Sequence, residues 1–231
     1  MSDTIPNFDI VMPIYEGVDL MDVAGPYEFF SWWAGSAKQQ NLMNVTLTLA
    51  AETCAPVKSR DNFILTPNQT FDYYYENNLQ ANMIWTPGGN PDNLHVLMQP
   101  GTPYMNFLNQ QAEHADWVCS VCEGALLLAA AGLLDGYTAT THWYFIPCLA
   151  EFKEITVADG YPRFFQDRNR MTGGGISSGR DESLELIRII AGKEMAENVQ
   201  LNTQYYPQPP VNSTIPGSTT CSVDMTGVNL G

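Results

Sequence analysis

The run WVCSVCEGALLLAAAGLLDGYTATTHW, residues 117–143, decides the fold. It opens on Trp117-Val118-Cys119-Ser120-Val121, a short apolar segment that reads as a buried strand and is too short to be a helix alone. After Cys122-Glu123-Gly124 the composition changes to Ala125-Leu126-Leu127-Leu128-Ala129-Ala130-Ala131, all strong helix formers. Gly132 is a natural helix stop. Cys122 therefore stands where a strand turns sharply into a helix. A thiol there lies over unpaired N–H groups and the positive end of the helix dipole, a setting expected to favour the nucleophilic thiolate.

Working outward, the chain alternates strands with helices. FDIVMPI (8–14) and ANMIWT (81–86) are apolar nearly throughout, as interior parallel strands are, and NVTLTLA (44–50) alternates. Residues 19–33 read as a turn followed by a helix, with Pro26 in the first helical turn and Asp22 in the loop before it. Residues 57–71 predict a small hairpin. Residues 103–115, 143–152, 178–191 and 193–206 predict helices, with Asp181 and Glu182 as dipole-favoured carboxylates in the first turn after Ser178. This order argues for an α/β fold with a mainly parallel sheet covered on both faces. Such sheets bind ligands beyond their carboxyl ends. Asp22, Gly88-Gly89, Cys122, and His142 with Gly173-Gly174-Gly175 are expected to meet there. One domain over residues 1–208 is predicted, followed by a Pro-, Ser- and Thr-rich tail over 209–231 expected to be extended or disordered.

The totals bound the partners. A net charge of -15, with only ten Lys plus Arg, argues against nucleic acid and anionic membranes. No apolar run reaches the roughly 20 residues of a membrane span. The first ten residues lack a basic flank and an apolar block, so no signal peptide is read there. Five cysteines without a secretion signal predict free thiols in a reducing, cytoplasmic setting.

Each candidate has a plainer reading. A lone cysteine is usually a small buried hydrophobe, but the bend and the following Gly124 favour a nucleophile for Cys122. Cys119-x-x-Cys122 has the spacing of a redox pair or half a zinc site, yet no second such pair follows. His142 is either a packed helix cap or a base near the thiol. Asp22 sits between Leu20-Met21 and Val23-Ala24, so burial would raise its pKa and make it a usable acid or base. The backbone N–H groups of Glu123, Gly88 and Gly89 could face a developing anion, and the Glu123 carboxyl could be a second acid. Gly173-Gly174-Gly175 is neither a P-loop nor a G-x-G-x-x-G and reads as close backbone approach.

Taken in order, DLMDVAGP, TPGG, SVCEGALLLAAAGLLDG, ATTHW, TGGGISSG and VQLNTQYYPQPPVN resemble the ThiJ/PfpI superfamily, and within it the isonitrile hydratases, over residues 9–212. The resemblance implies a flavodoxin-like three-layer sandwich, a homodimer, and a cysteine in a strained nucleophile elbow. It also implies catalytic roles for Cys122 and Asp22, with Glu123 and His142 beside them. Gly88, Gly89, Gly174, Gly175 and Ile176 are implied to surround the substrate. Where such hydratases carry threonine after the cysteine, this chain has Glu123. The tail departs from the family, and Cys221 has no reading.

The expected activity is hydration of an isonitrile to an N-substituted formamide through a thioimidate on Cys122, acting on a small molecule without metal or organic cofactor. The alternatives are a cofactor-free glyoxalase or deglycase acting on methylglyoxal-type aldehydes, and a cysteine redox sensor or chaperone-like protein. A regulator with a helix-turn-helix segment is not expected from so acidic a chain.

Overall fold

The computed structural model describes residues 5–215 and 217–231. The first residues of the stretch read for a leader, 1–4, lie outside them. In chain order the elements are β1 (Asn7–Pro13), α1 (Leu20–Gln39), β2 (Asn44–Ala51), β3 (Val57–Lys58), β4 (Ile64–Leu65), β5 (Gln69–Thr70), α2 (Phe71–Glu76), β6 (Met83–Thr86), α3 (Pro91–Leu97) and α4 (Pro103–Ala112). There follow β7 (Trp117–Ser120), α5 (Gly124–Ala130), β8 (Thr138–Ala139), a 3-10 turn at Trp143–Phe145, α6 (Ile146–Leu149), β9 (Thr156–Val157), β10 (Phe164–Asp167), β11 (Arg170–Gly173), α7 (Ser178–Ala191) and α8 (Lys193–Asn202).

The main sheet runs β10-β11-β7-β6-β1-β2-β5 and is parallel except for the β10–β11 edge pair. Its centre is the pair β6–β7. All four residues of β6 are buried, which explains why MIWT carries no alternation. Nearer the edge, β2 starts by alternating, with Val45, Leu47 and Leu49 packed against the core, and is buried on both faces only at Ala50 and Ala51. Helices α1, α7 and α8 pack together on one face, and α4, α5 and α6 form the other layer. This is the flavodoxin-like sandwich. A β3–β4 hairpin forms within the predicted span 57–71 and stands outside the main sheet, while β5 at the end of that span joins the main sheet.

Helix α1 begins earlier than the sequence suggests. It starts at Leu20, so Asp22 lies in its first turn and Pro26 lies inside the helix. Proline has no N–H to offer the carbonyl four residues back, which here belongs to Asp22. The Trp85 indole on β6 donates to that carbonyl instead, at 2.9 Å. A sheet side chain thus replaces the missing helix bond, and the helix can run through its proline.

The expectation of free thiols is corrected in part. Cys148 and Cys221 form a disulfide, leaving Cys54, Cys119 and Cys122 free. The odd cysteine count therefore no longer argues for a reducing compartment. The bridge fastens the C-terminal segment to α6. Further along, the Asp224 and Thr226 carbonyls meet His95 and Gln99 near α3, and the Leu230 carbonyl accepts from Lys153. Among the described residues, no helix is long and apolar enough to cross a membrane.

Candidate active site

Register brings the chemistry together. Thr86 at the end of β6 pairs with Ser120 at the end of β7, and Ser120 pairs in turn with Thr172 of β11. The three loops that follow, Pro87-Gly88-Gly89, Val121-Cys122-Glu123 and Gly174-Gly175, therefore emerge side by side. Cys122 has φ +56°, the left-handed region that non-glycine residues seldom adopt. Its N–H donates to the Gly174 carbonyl at 2.8 Å. Its carbonyl accepts from the Thr141 hydroxyl at 2.7 Å. These bonds from two neighbouring loops hold the bend, which is where local strain is expected at a functional residue. Gly124 is needed at the next step, because a Cβ there would collide with the Thr86 carbonyl.

Three carboxyl groups surround the sulfur. Donor atoms of Asp19, Asp22, Cys122 and Glu123 all lie within 4.8 Å of one another, and all four residues are buried. Asp22 Oδ2 accepts from the Gly88 N–H at 2.9 Å. Asp19 Oδ1 pairs at 2.9 Å with Arg60, which arrives from the β3–β4 hairpin. Glu123 Oε2 fills the space a side chain on Gly88 would take, and a Cβ there would also lie 2.9 Å from the Cys122 Cβ. Gly88 is thus a requirement of the acid cluster as well as of the turn.

This arrangement reverses one electrostatic expectation. Burial pushes the Cys122 thiol pKa up, and the neighbouring charges of Asp22 and Glu123 push it the same way. The thiol therefore keeps its proton beside the Glu123 carboxyl, and the acids outweigh the helix dipole. The reason is geometric: α5 is one short helix end, while three carboxyl groups crowd the same sulfur. Burial also raises Asp22 well above the usual carboxylate range, helped by Asp19 and Glu123. Asp19 is raised by burial against the opposing pull of Arg60. Burial lifts Glu123 to about 6, while its hydrogen bonds with the Cys122 thiol and its own N–H pull it down. The site thus holds protonated and ionised acids together around a protonated thiol.

One of the expected amide donors is committed: the Gly88 N–H serves Asp22. Gly89 packs against Gly17 and Tyr15, with a bridge to Val18. His142 stands outside the acid–thiol cluster. Its Nδ1 accepts from the Tyr144 N–H at 3.3 Å, capping the 3-10 turn, and its ring lies over Gly175. Burial lowers its pKa, with a smaller push from Arg60, so the ring is neutral at pH 7. Gly174, Gly175 and Ile176 line a cavity of about 280 Å³ with His142, Trp143 and Tyr161. Two of its lining residues, Thr141 and Gly174, hold the Cys122 backbone.

Three participants were not among the sequence candidates. Asp19 and Arg60 join the cluster through a contact between a helix start and a distant hairpin, which no local pattern reveals. Glu182, read only as a first-turn carboxylate facing the helix dipole, is fully buried on α7, and neither carboxyl oxygen has a partner. The spacing Gly179, Glu182, Ser183, Leu186, Ile187 did carry that signal, since these residues share one helix face.

Comparison with known proteins places the chain in a family. Isonitrile hydratase of Pseudomonas putida is 34% identical over 210 residues, covering 91% of this chain and 84% of that protein. The crystal structure of a ThiJ/PfpI family protein from Pseudomonas syringae superposes with a TM-score of 0.79 at 31% identity, covering 92% of this chain and 82% of that one. Drosophila melanogaster DJ-1beta shares the fold, with a TM-score of 0.71 at 16% identity, over 87% of this chain and 100% of its own. With residues 9–189 matching the family's sequence pattern as well, the chain belongs to the DJ-1/PfpI family.

Proposed function

We propose that the protein hydrates an isonitrile to an N-substituted formamide at Cys122. The observation that carries this reading is the gathering of one thiol and three carboxyl groups within 4.8 Å, where the Gly88 amide is already bound to the Asp22 carboxyl. Such a site is rich in protons to give and take, and one of its expected donors for an oxyanion is taken. An isonitrile needs the former, because its terminal carbon must gain both a proton and a nucleophile.

In the first step the thiol proton passes to the Glu123 carboxylate, and protonated Asp22 delivers a proton to the terminal carbon of R–N≡C. The sulfur bonds to the same carbon, giving R–N=CH–S–Cys122. Asp22, now ionised, takes a proton from water as the oxygen adds to that carbon and passes it to the nitrogen, giving R–NH–CH(OH)–S–Cys122. Asp22 then takes the hydroxyl proton as the C=O forms and the C–S bond breaks, the sulfur regains its proton from Glu123, and R–NH–CHO leaves. Every proton borrowed is returned, and the net change is addition of one water. Splitting the hydration this way replaces one difficult addition by two easier ones. The R group is assigned to the cavity beside Gly174 and Ile176, whose aromatic lining suits an apolar substituent.

The likeness to an isonitrile hydratase over most of both chains supports the chemistry. The test is incubation with cyclohexyl isocyanide and detection of N-cyclohexylformamide by mass spectrometry. Wild type is expected to be active and Cys122→Ala inactive. A silent wild type, or an active alanine variant, overturns the assignment. The crowding of carboxyl groups about the sulfur also favours one second reading, in which peroxide converts Cys122 to a sulfinic acid held by a protonated neighbour. Peroxide-dependent mass gain on Cys122 in a protein without turnover would select it.

A further inference from the structure

The acid–thiol cluster has an unusual pattern of used and unused atoms. Asp19 Oδ1 is bound to Arg60 and Asp22 Oδ2 to Gly88, yet Asp19 Oδ2, Asp22 Oδ1 and Glu123 Oε2 are all buried without a partner. The residues carrying them are 0–2% exposed. One carboxyl oxygen from each of these residues and Cys122 Sγ all lie within 4.8 Å of one another. An unpaired buried carboxylate oxygen is costly, and here three of them share one small space with a thiol. Asp19 and Asp22 are each held through their other oxygen, by bonds that a bound ion would leave intact.

We propose that Asp19, Asp22, Cys122 and Glu123 form a binding site for a borderline-soft divalent cation of the zinc class, which blocks Cys122 reversibly. One thiolate and three carboxylate oxygens are a donor set for Zn²⁺ rather than for Mg²⁺ or Ca²⁺, which avoid sulfur. Tetrahedral zinc with bonds of ~2.3 Å to sulfur and ~2.0–2.2 Å to oxygen sets its donors about 3.5 Å apart, so shifts of about 1 Å close the shell. Binding releases the thiol proton to solvent and forms the metal–sulfur bond, with no change of oxidation state. The ion occupies the sulfur and all three acids, so it acts as an inhibitor and not as a cofactor. Entry is past Arg60, whose side chain is 37% exposed and spans from the hairpin to Asp19. The site depends on Glu123, since without that carboxyl only two oxygen donors remain beside the sulfur.

Titration of the chelator-treated full chain with Co²⁺ alone tests this directly. A Cys54→Ser background removes the one exposed free thiol. One equivalent of Co²⁺ is expected to produce a near-ultraviolet thiolate-to-cobalt charge-transfer band, which added Zn²⁺ bleaches by displacement. The band should vanish in Cys122→Ala. Glu123→Gln and Asp19→Asn should each weaken binding at least about tenfold, the loss seen even for residues outside a metal's direct ligands. Absence of the band, its survival in Cys122→Ala, or unchanged affinity in both carboxamide variants overturns the site. The readout needs no substrate, so failure of isonitrile turnover leaves it standing, and failure of the band leaves the proposed hydration standing.

Discussion

Replacing Glu182 by glutamine removes a carboxyl that is fully buried on α7, beside Gly173 and Cys119, with both oxygens unpaired. Burial, with a further push from Asp22, raises its folded pKa well above the usual range. The unfolded chain releases this proton near pH ~4.3, while the folded protein keeps it. Below that pH both states are protonated and the group costs nothing in linkage. Above it the unfolded state gains by ionising, so folding stability falls as pH rises, until the folded pKa is passed. One such group contributes about 1.4 kcal/mol per pH unit over that window. Urea denaturation of wild type and Glu182→Gln between about pH 5 and pH 8 should therefore show a gap that widens in the variant's favour. The pH at which the gap stops growing reads the folded pKa. At neutral pH, Glu182→Leu, which removes both unpaired oxygens, is expected to gain about 1–3 kcal/mol. That corresponds to about 2–4 °C in Tm per kcal/mol for a chain of this size. A gap independent of pH would refute the reasoning, because it would mean that the folded protein ionises this carboxyl as readily as the unfolded chain does.

In chelator-treated enzyme, kcat/KM for an isonitrile should rise with pH through about 6, as Glu123 becomes able to accept the thiol proton; a rate profile of Glu123→Gln should lack that limb. Trp85→Phe leaves the Asp22 carbonyl of α1 without its donor and should cost about 1–3 kcal/mol in chemical denaturation, with loss of activity as the acid shifts. Cys221→Ser opens a bridge spanning 73 residues, for which loop closure predicts a loss of about 4 kcal/mol; unchanged stability in a reductant-free thermal melt would contradict it.

The sheet and its elbow could be read from short-range patterns because they are made by short-range rules. An unbroken apolar run such as MIWT has few other places to go than an interior strand, and a strand feeding a poly-alanine-leucine helix forces a bend at Cys122. Asp22 was legible because an acid flanked by apolar residues must be buried somewhere. What escaped was decided by contacts between distant parts. Helix α1 begins early because Trp85, over sixty residues away, supplies the bond Pro26 lacks. Asp19 matters only because Arg60 crosses from a hairpin, and Cys148 meets Cys221 only once the tail is laid down. The thiol's protonation state was misjudged for a related cause. The dipole of one helix is visible in a linear sequence, but the sum of three converging acids is not. Glu182 is a different case: its place on the buried stripe of α7 is legible in the sequence, although an acid in a first turn equally suits the helix dipole.

Asp22 is gripped at both ends by a single neighbour. Its carbonyl is taken by Trp85 and its carboxyl by the amide of Gly88, both on β6 or the turn that leaves it. Because β6 is laced to β7, whose end carries the cysteine, acid and sulfur ride on adjoining rungs of one ladder. Breathing of the outer helices would then leave their spacing untouched. An engineer wishing to move this reactive pair to another scaffold would have to carry the tryptophan, the proline and the glycine along with it, as one indivisible cassette.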